Sequence, residues 1–430
     1  PLLVSVFTPG FEGARRELMI DVVRIFFPMT GVLVLSAWAL GILNSHRRFF
    51  VPYVAPVLWN VAIMAGLFVA ARWVLDGSSE TFSTADLNGL VLAGCVGALV
   101  GALLQFLVQL PLVVQVMREF RFSFSTKAPG VKEALRAFGP VVAGRGVYQL
   151  SAYLDLFLAS FLIEGALGAL RYSQMLYMLP VSLFGLSVAA SELPELSRMR
   201  ADAAAELNAR INQSMRQMLY LVVPTVFGYL AFGYLAVGAL YETGSFGEQA
   251  IWLVYLVLGA YSIGLIATTA SRLLQNTYYA LRDTKTPARI AAIRVLVSAV
   301  VAVPAMLLLD DVSIGVVPGV STGTDPLFLG AAGLALGSTA GAWIELVALG
   351  RTLRSRLGRF PFPTVRVLRM FGIALIAAVP AALVWYILPP WHVAIVACVV
   401  IGLYGAMYIA IGYVAGFTEL QFWTGRFIRR

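Results

Sequence analysis

The stretch NGLVLAGCVGALVGALLQFLVQLPLVVQVMREFRFSFSTK (88–127) decides the fold class. Residues 87–117 carry no charged side chain, and Arg118, Arg121 and Lys127 follow closely. A helix rises ~1.5 Å per residue, so about 20 apolar residues cross a hydrocarbon core ~30 Å thick. A run this long with a basic stop is a membrane span, ending on the side where positive loops collect.

Working outward, the same pattern fills the chain. Eleven segments qualify as spans, roughly 21–43, 53–75, 87–117, 138–162, 166–193, 215–240, 250–281, 287–309, 328–350, 368–389 and 392–416. Thr286 and Pro287 supply an N-cap and a first-turn proline, Phe138-Gly-Pro140 opens the fourth span, and Leu193-Pro194 closes the fifth. Basic residues follow the odd-numbered spans: Arg47 and Arg48, then Arg118 to Arg136, Arg198 to Arg216, Arg282 to Arg289, Arg351 to Arg369, and Arg426, Arg429 and Arg430 in the tail. The alternate connections, 76–86, 163–165, 241–249, 310–327 and 390–391, contain no Lys or Arg. The positive-inside rule therefore places the odd connections and the C-terminus in the cytoplasm, with Arg15, Arg16 and Arg72 as outer-side exceptions. The expected fold is all-α, a polytopic transmembrane helix bundle.

Composition agrees. Hydrophobic residues make up 60% of the 430 and charged residues 12%, too few charges for an aqueous surface. The net charge of +9 belongs to cytoplasmic loops, so no nucleic-acid partner is implied. Cys95 and Cys398 lie inside apolar runs and offer no disulfide framework. His46 and His392 stand apart, with no metal-ligand spacing around them. The opening PLLVSVF has no charged signal-peptide start and reads as the end of a helix begun before Pro1.

Two stretches about 240 residues apart are alike. Ala93, Gly97, Gly101 and Gln105 match Gly333, Gly337, Gly341 and Glu345, and the junction NSHRRFFVP (44–52) parallels YALRDTKTP (279–287). Spacing of four puts small residues on one face, where backbones approach closely. Gly-xxx-Gly alone is common in membrane helices; the matching polar residue and junction favour a duplication with a period of six helices, as in transporters. That period expects three helices ahead of the first span.

The runs ILNSHRRFFVPYVAPVLWNV (42–61), ASFLIEGALGALRYSQMLYMLPVSLFG (159–185), ELPELSR (192–198) and YYALRDTKTPARIA (278–291) resemble the MviN/MurJ family of lipid II flippases, from the opening stub to the tail. The resemblance implies two pseudo-symmetric six-helix lobes plus two extra helices, with the first lobe incomplete here. Residues 1–117 are then the remainder of the first lobe, 118–137 a cytoplasmic linker, 138–350 the second lobe, 351–367 a basic linker, 368–416 the extra hairpin and 417–430 a basic tail. It further implies a cationic cavity for the pyrophosphate and sugar, and a groove, formed partly by the hairpin, for the polyprenyl tail. A family arginine of the eighth helix falls on Met175, with Arg171 one turn earlier. Some members bind sodium through a carboxylate that Asp155 matches, but the companion helix, 287–309, offers only Ser298.

Ionisable residues inside spans usually face a cavity or a partner. Asp155 and Arg171 each lie ~10–14 Å below the outer surface on consecutive helices and are expected to pair, as glue or as part of a site. Arg294 and Glu345, each ~9–10 Å from the inner surface, are expected to pair as glue. Arg145, ~10 Å deep, and Arg272, ~15 Å deep near the midplane, have no acidic residue at like depth on the next helix or evident in sequence. Each reads as an anion contact or as a snorkelling anchor, and snorkelling is harder from the midplane. A guanidinium fork suits a diphosphate.

The substrate-site candidates are thus Arg145, Arg171, Arg272 and Asp155. No Walker-type loop occurs, no soluble segment could hold a catalytic domain, and no cofactor is implied. The chain is expected not to be an enzyme. The implied function is translocation of undecaprenyl-diphosphate-linked precursor (lipid II) across the bacterial inner membrane by alternating access, in contact with membrane lipid and alongside cell-wall synthesis proteins. A related O-antigen lipid flippase or drug exporter is the rival, disfavoured by ELPELSR and DTKTP. A membrane enzyme acting on polyprenyl phosphates would need acidic metal-binding clusters, and only Asp310-Asp311 is available.

Overall fold

The structure, a computed structural model, describes residues 1–48, 50–76, 84–117, 153–162, 165–186, 204–243, 246–281, 283–317, 320, 326–358, 362–389, 391–417 and 419. The chain divides into two compact units, Pro1–Ala137 and Phe138–Arg430. The first holds α1 (Leu2–Phe7), α2 (Gly13–Ser45), α3 (Phe50–Asp76) and α4 (Thr84–Val116). The second holds α5 (Ala166–Pro180), a π-turn (Val181–Leu186), α6 (Ala204–Tyr241), α7 (Glu248–Ile263), α8 (Leu265–Ala280), α9 (Lys285–Asp310), α10 (Gly330–Leu357), α11 (Thr364–Ile387) and α12 (Val393–Val414).

Eight of the described helices are long and apolar enough to cross a membrane, and α7 with α8 make a ninth if they are one bent span. The other two expected spans, 138–162 and 166–193, lie partly outside the described residues. Large apolar side chains point outward all along the helices: Leu308 is 73% exposed and Val414 86%. In water such a surface would aggregate; against lipid it costs nothing. The fold is a helical membrane bundle, as composition required.

Between such helices lipid removes the hydrophobic drive, so backbone approach and buried hydrogen bonds decide the packing. In the first unit α4 lies against α3. A Cβ on Gly97 would stand 2.8 Å from the Ala62 carbonyl oxygen, and Trp59 donates from Nε1 to the Ala98 carbonyl at 3.0 Å. In the second unit α10 lies against α9, and a Cβ on Gly337 would stand 2.6 Å from Ala302 Cα.

The span expected at 250–281 is continuous in sequence and broken in structure: α7 and α8 meet at Gly264 with a bend of 43°. Gly264 directs its N–H to the Tyr261 carbonyl instead of closing a regular turn on Ala260. Thr339 Oγ1 donates to the Ala260 carbonyl at 2.7 Å, and Trp343 Nε1 to that of Ile263 at 3.0 Å. Freed backbone acceptors are thereby satisfied inside the protein, the condition for a break at membrane depth.

Candidate functional site

The second unit carries a line of polar groups through its interior. It begins on α8, where Leu273, Leu274, Thr277 and Tyr278 are buried in the core. Arg272, Gln275, Asn276 and Tyr279 share the opposite face at i, i+3, i+4 and i+7 spacing and are only partly covered or exposed. Gln275 Nε2 donates to Glu345 Oε1 of α10 at 2.7 Å, and Arg294 of α9 pairs with Glu345 Oε2 at 2.7 Å. The Glu345 side chain is 1% exposed, so both its oxygens are occupied by donors from two other helices. Tyr279 lies within electrostatic reach of both Arg272 and Glu345.

The line continues toward the helical stretch 153–159 and α5. Asp155 is partly buried and is acted on by the charge of Arg294 first and of Arg171 second. Gln174 Nε2 donates to the Tyr261 hydroxyl at 3.1 Å, and the Tyr177 hydroxyl donates to Thr268 Oγ1 at 2.7 Å. Tyr261 in turn feels both Asp155 and Arg171. Arg294 is therefore the joint: it is bonded to Glu345 on one side, and its charge acts on Asp155 on the other.

Of the expected site residues, Asp155 and Arg171 are within electrostatic reach of each other, and Asp155 also feels Arg294. No ion pair joins them among the described residues, and Arg171 is exposed on α5. The reason is that the two pairs, counted from opposite membrane faces, lie close together in depth. A depth of ~13 Å from outside and ~10 Å from inside leave only ~7 Å of a ~30 Å core, within reach of an arginine side chain. The Arg294–Glu345 pair forms as expected. Arg272 is on the polar face of α8, and Glu345 shares its neighbourhood across Tyr279, a carboxylate the depth reading did not give it. Arg145 lies outside the described residues.

Gln275, Tyr279, Gln174 and Tyr261 were missed in the sequence. Their signal was available for α8: a row of polar side chains at helical spacing in an otherwise apolar span. Among the described residues no group of three His, Cys, Asp or Glu side chains is placed to hold a metal ion.

Comparison with known proteins bears on this arrangement. The family model for the lipid II flippase MurJ matches residues 1–404. The chain belongs to the MurJ family. Among curated relatives, the lipid II flippase MurJ of Burkholderia cenocepacia is 31% identical over 289 residues, covering 65% of this chain and 53% of the relative. The probable lipid II flippase MurJ of Rhizobium tropici is 28% identical over 360 residues, covering 83% of this chain and 62% of the relative. The chain thus spans about half the length of the curated relatives it matches. A solved structure, "Lipid II flippase MurJ, inward closed conformation", superposes with a TM-score of 0.75 at 20% identity, covering 96% of this chain and 78% of that one. That likeness carries the fold: the MurJ family's helical membrane bundle. With the apolar helices, membership of the family makes the chain a multi-pass inner-membrane protein.

Proposed function

We propose that the protein is a flippase that translocates lipid II across the inner membrane by alternating access, and is not an enzyme. One observation carries the reading: inside a bundle whose outer surface is apolar, Glu345 holds Arg294 and Gln275, the charges of Arg294 and Arg171 act on Asp155, and those of Arg272 and Glu345 act on Tyr279. Charge at membrane depth is costly and is kept where it contacts a substrate or a partner charge. Here Arg294 serves the partner carboxylates, and Arg171, Arg272 and Arg145 are assigned to the diphosphate, with Asp155 positioning Arg171 and Arg294. The planar guanidinium fork matches paired phosphate oxygens. The isoprenoid tail remains in lipid.

In this reading residues 1–117 belong to one lobe, 138–350 to a second and 368–416 to an added hairpin, with linkers at 118–137 and 351–367. The tail at 417–430 and the basic loops lie in the cytoplasm, where cell-wall synthesis proteins supply the precursor. Orientation is tested by cysteine labelling after Cys95 and Cys398 are replaced. Thr243→Cys is labelled by an impermeant reagent in intact cells and Ser355→Cys is not; the reverse pattern overturns the orientation.

The substrate assignment is tested at Arg272 in cells depleted of their own flippase. Arg272→Gln abolishes rescue at normal membrane level, and Arg272→Lys, which keeps the charge and loses the fork, rescues partly. Full rescue and unchanged crosslinking to lipid II in Arg272→Gln would remove this residue from the site.

A further inference from the structure

Proline inside a helix withholds the N–H that the carbonyl four residues earlier needs. In lipid that carbonyl must find another donor. On α5, Pro180 leaves the carbonyl of Leu176 without its partner, and the hydroxyl of Tyr229 on α6 donates to it at 2.8 Å. On α6, Pro224 does the same to the carbonyl of Tyr220, and the hydroxyl of Tyr408 on α12 donates to it at 3.0 Å. The two arrangements are in series, because Tyr229 stands five residues beyond Pro224 on the same helix.

Each proline also has room or slack beside it. Pro180 passes directly into the π-turn Val181–Leu186, whose wide turns hold fewer backbone bonds. At Pro224 a half-open groove of about 260 Å³ runs between α6 and α12, with Tyr220, Pro224, Gly228, Tyr229, Tyr404 and Tyr408 in its wall. A groove beside a proline lets the helix change its angle without compressing a neighbour.

We propose that the backbone gaps at Pro180 and Pro224 are working hinges of the transport cycle, each latched in the present conformation by one hydroxyl from a neighbouring helix, Tyr229 and Tyr408. Releasing Tyr408 from the Tyr220 carbonyl frees α6 to bend. That movement draws Tyr229 from the Leu176 carbonyl and frees α5, the helix that carries Arg171, Gln174 and Tyr177. The hairpin α11–α12 is then connected to the charged line through two hydrogen bonds. The transport role rests on the flippase reading; the latches do not.

Tyr404 provides an internal control. It lies one turn from Tyr408 on α12, and its hydroxyl donates to the carbonyl of Pro224 at 2.8 Å. That carbonyl has the N–H of Gly228 within helical reach and is not orphaned by a proline. Hydrogen exchange of the full chain in lipid nanodiscs should therefore distinguish the two. Tyr408→Phe raises exchange about fivefold around residues 220–228, the effect of one neutral hydrogen bond, and Tyr229→Phe does so around 176–186. Tyr404→Phe leaves both regions within twofold of the parent. Pro224→Ala restores the missing N–H, so adding Tyr408→Phe to it changes nothing further. Equal effects of Tyr404→Phe and Tyr408→Phe, or an undiminished effect of Tyr408→Phe in the Pro224→Ala background, would overturn the latch. Lipid II translocation in vesicles is then expected to fall at least tenfold in Pro224→Ala with protein level unchanged; wild-type rates there would overturn the hinge. Absence of translocation by unmodified protein that carries a complete first lobe removes the flippase reading and with it the transport role, while the exchange pattern still decides the latches.

Discussion

In the first unit α4 sets Gly97 and Gly101 against Ala62 and Trp59 of α3; in the second, α10 sets Gly337 and Gly341 against Ala302 and Ser298 of α9. Gly97 and Gly337 stand 240 residues apart, and so do Ala62 and Ala302. The polar residue one turn beyond the stripe then differs. Gln105 Nε2 donates to Ser36 Oγ of α2 at 2.9 Å, as does Gln109 Nε2 at 2.7 Å. Both glutamine Oε1 atoms are buried and have no partner among the described residues. Glu345, at the position of Gln105, instead receives a guanidinium and an amide. Backbone approach is a requirement of shape, met in both regions by small residues. The polar residue beyond it is where the regions diverge, neutral in one and ionic in the other. Only the ionic version extends, through Arg294, toward Asp155 and Arg171.

The comparison breaks most visibly at that residue. Glu345→Ala removes the buried carboxylate that Arg294 and Gln275 share and should cost ~3–5 kcal/mol. Gln105→Ala removes a neutral bond and should cost about 0.6 kcal/mol, the average for polar pairs between membrane helices. Thermal unfolding in detergent and membrane abundance measure both. Similar losses would show that the two residues do the same work. Replacing the pair together, Arg294→Met with Glu345→Gln, should recover most of the stability, because an ion pair and an apolar substitute are often near equal in energy. Transport by that double variant then separates glue from site: a stable protein without activity places the pair in the site.

A smaller effect sharpens the shared half of the plan. A methyl on Gly337 meets the Ala302 backbone within 2.7 Å, and one on Gly97 meets Ala62 O at 2.8 Å. Gly337→Ala and Gly97→Ala should each cost ~1–3 kcal/mol through forced separation of the helices, Gly337→Ala the more. Gly350, on the same helix as Gly337, has nothing within 4 Å of an added Cβ. Gly350→Ala should be neutral or stabilising by up to ~1 kcal/mol. Equal destabilisation at Gly337 and Gly350 would mean that close approach is not the reason for the stripe.

Much of this was legible in the residues. The apolar runs and basic loops give the bundle because lipid allows little else, and the glycine stripes give the two packed pairs because only small side chains permit them. The junction motifs were less informative: Pro52 and Pro287 stand 235 residues apart while the stripes stand 240 apart, so the junctions and the packed pairs do not share one register. Hydropathy cannot reveal the break at Gly264, since it depends on Thr339 and Trp343 being at hand from a helix 75 residues later. Nor could depth alone select Arg294 over Arg171 as the stronger charge on Asp155. Depth is one coordinate, and rotation about the helix axis is the other.

The smallest expected effect lies at the two junctions themselves. Before α9, Asp283 Oδ1 accepts the backbone N–H of Lys285 and of Thr286, each at 3.0 Å. Its other oxygen accepts the Thr286 hydroxyl at 2.6 Å and pairs with Arg356 of α10 at 2.7 Å. The matching junction, 44–52, has no acidic residue, and Arg47 there adopts φ 57°. Hydrogen bonds from the Thr286 side chain and backbone, aided by Arg356, hold the Asp283 carboxyl below the usual range, at about 2. A depressed carboxylate contributes its stability above its ordinary value near 4, and loses it as pH falls from there toward 2. The capped turn should therefore be insensitive to pH between 5 and 8. Asp283→Asn should lower stability by about 0.5–1 kcal/mol at pH 7, in the range of a lost cap and an exposed ion pair. The difference between the parent and Asp283→Asn should shrink steadily below pH 4, because the parent carboxyl takes up its proton there. A difference that stays constant down to pH 2 would mean that the side-chain shape, and not the charge, holds the start of α9. A difference that vanishes already at pH 5 would mean that the carboxyl is not held by Thr286 and Arg356.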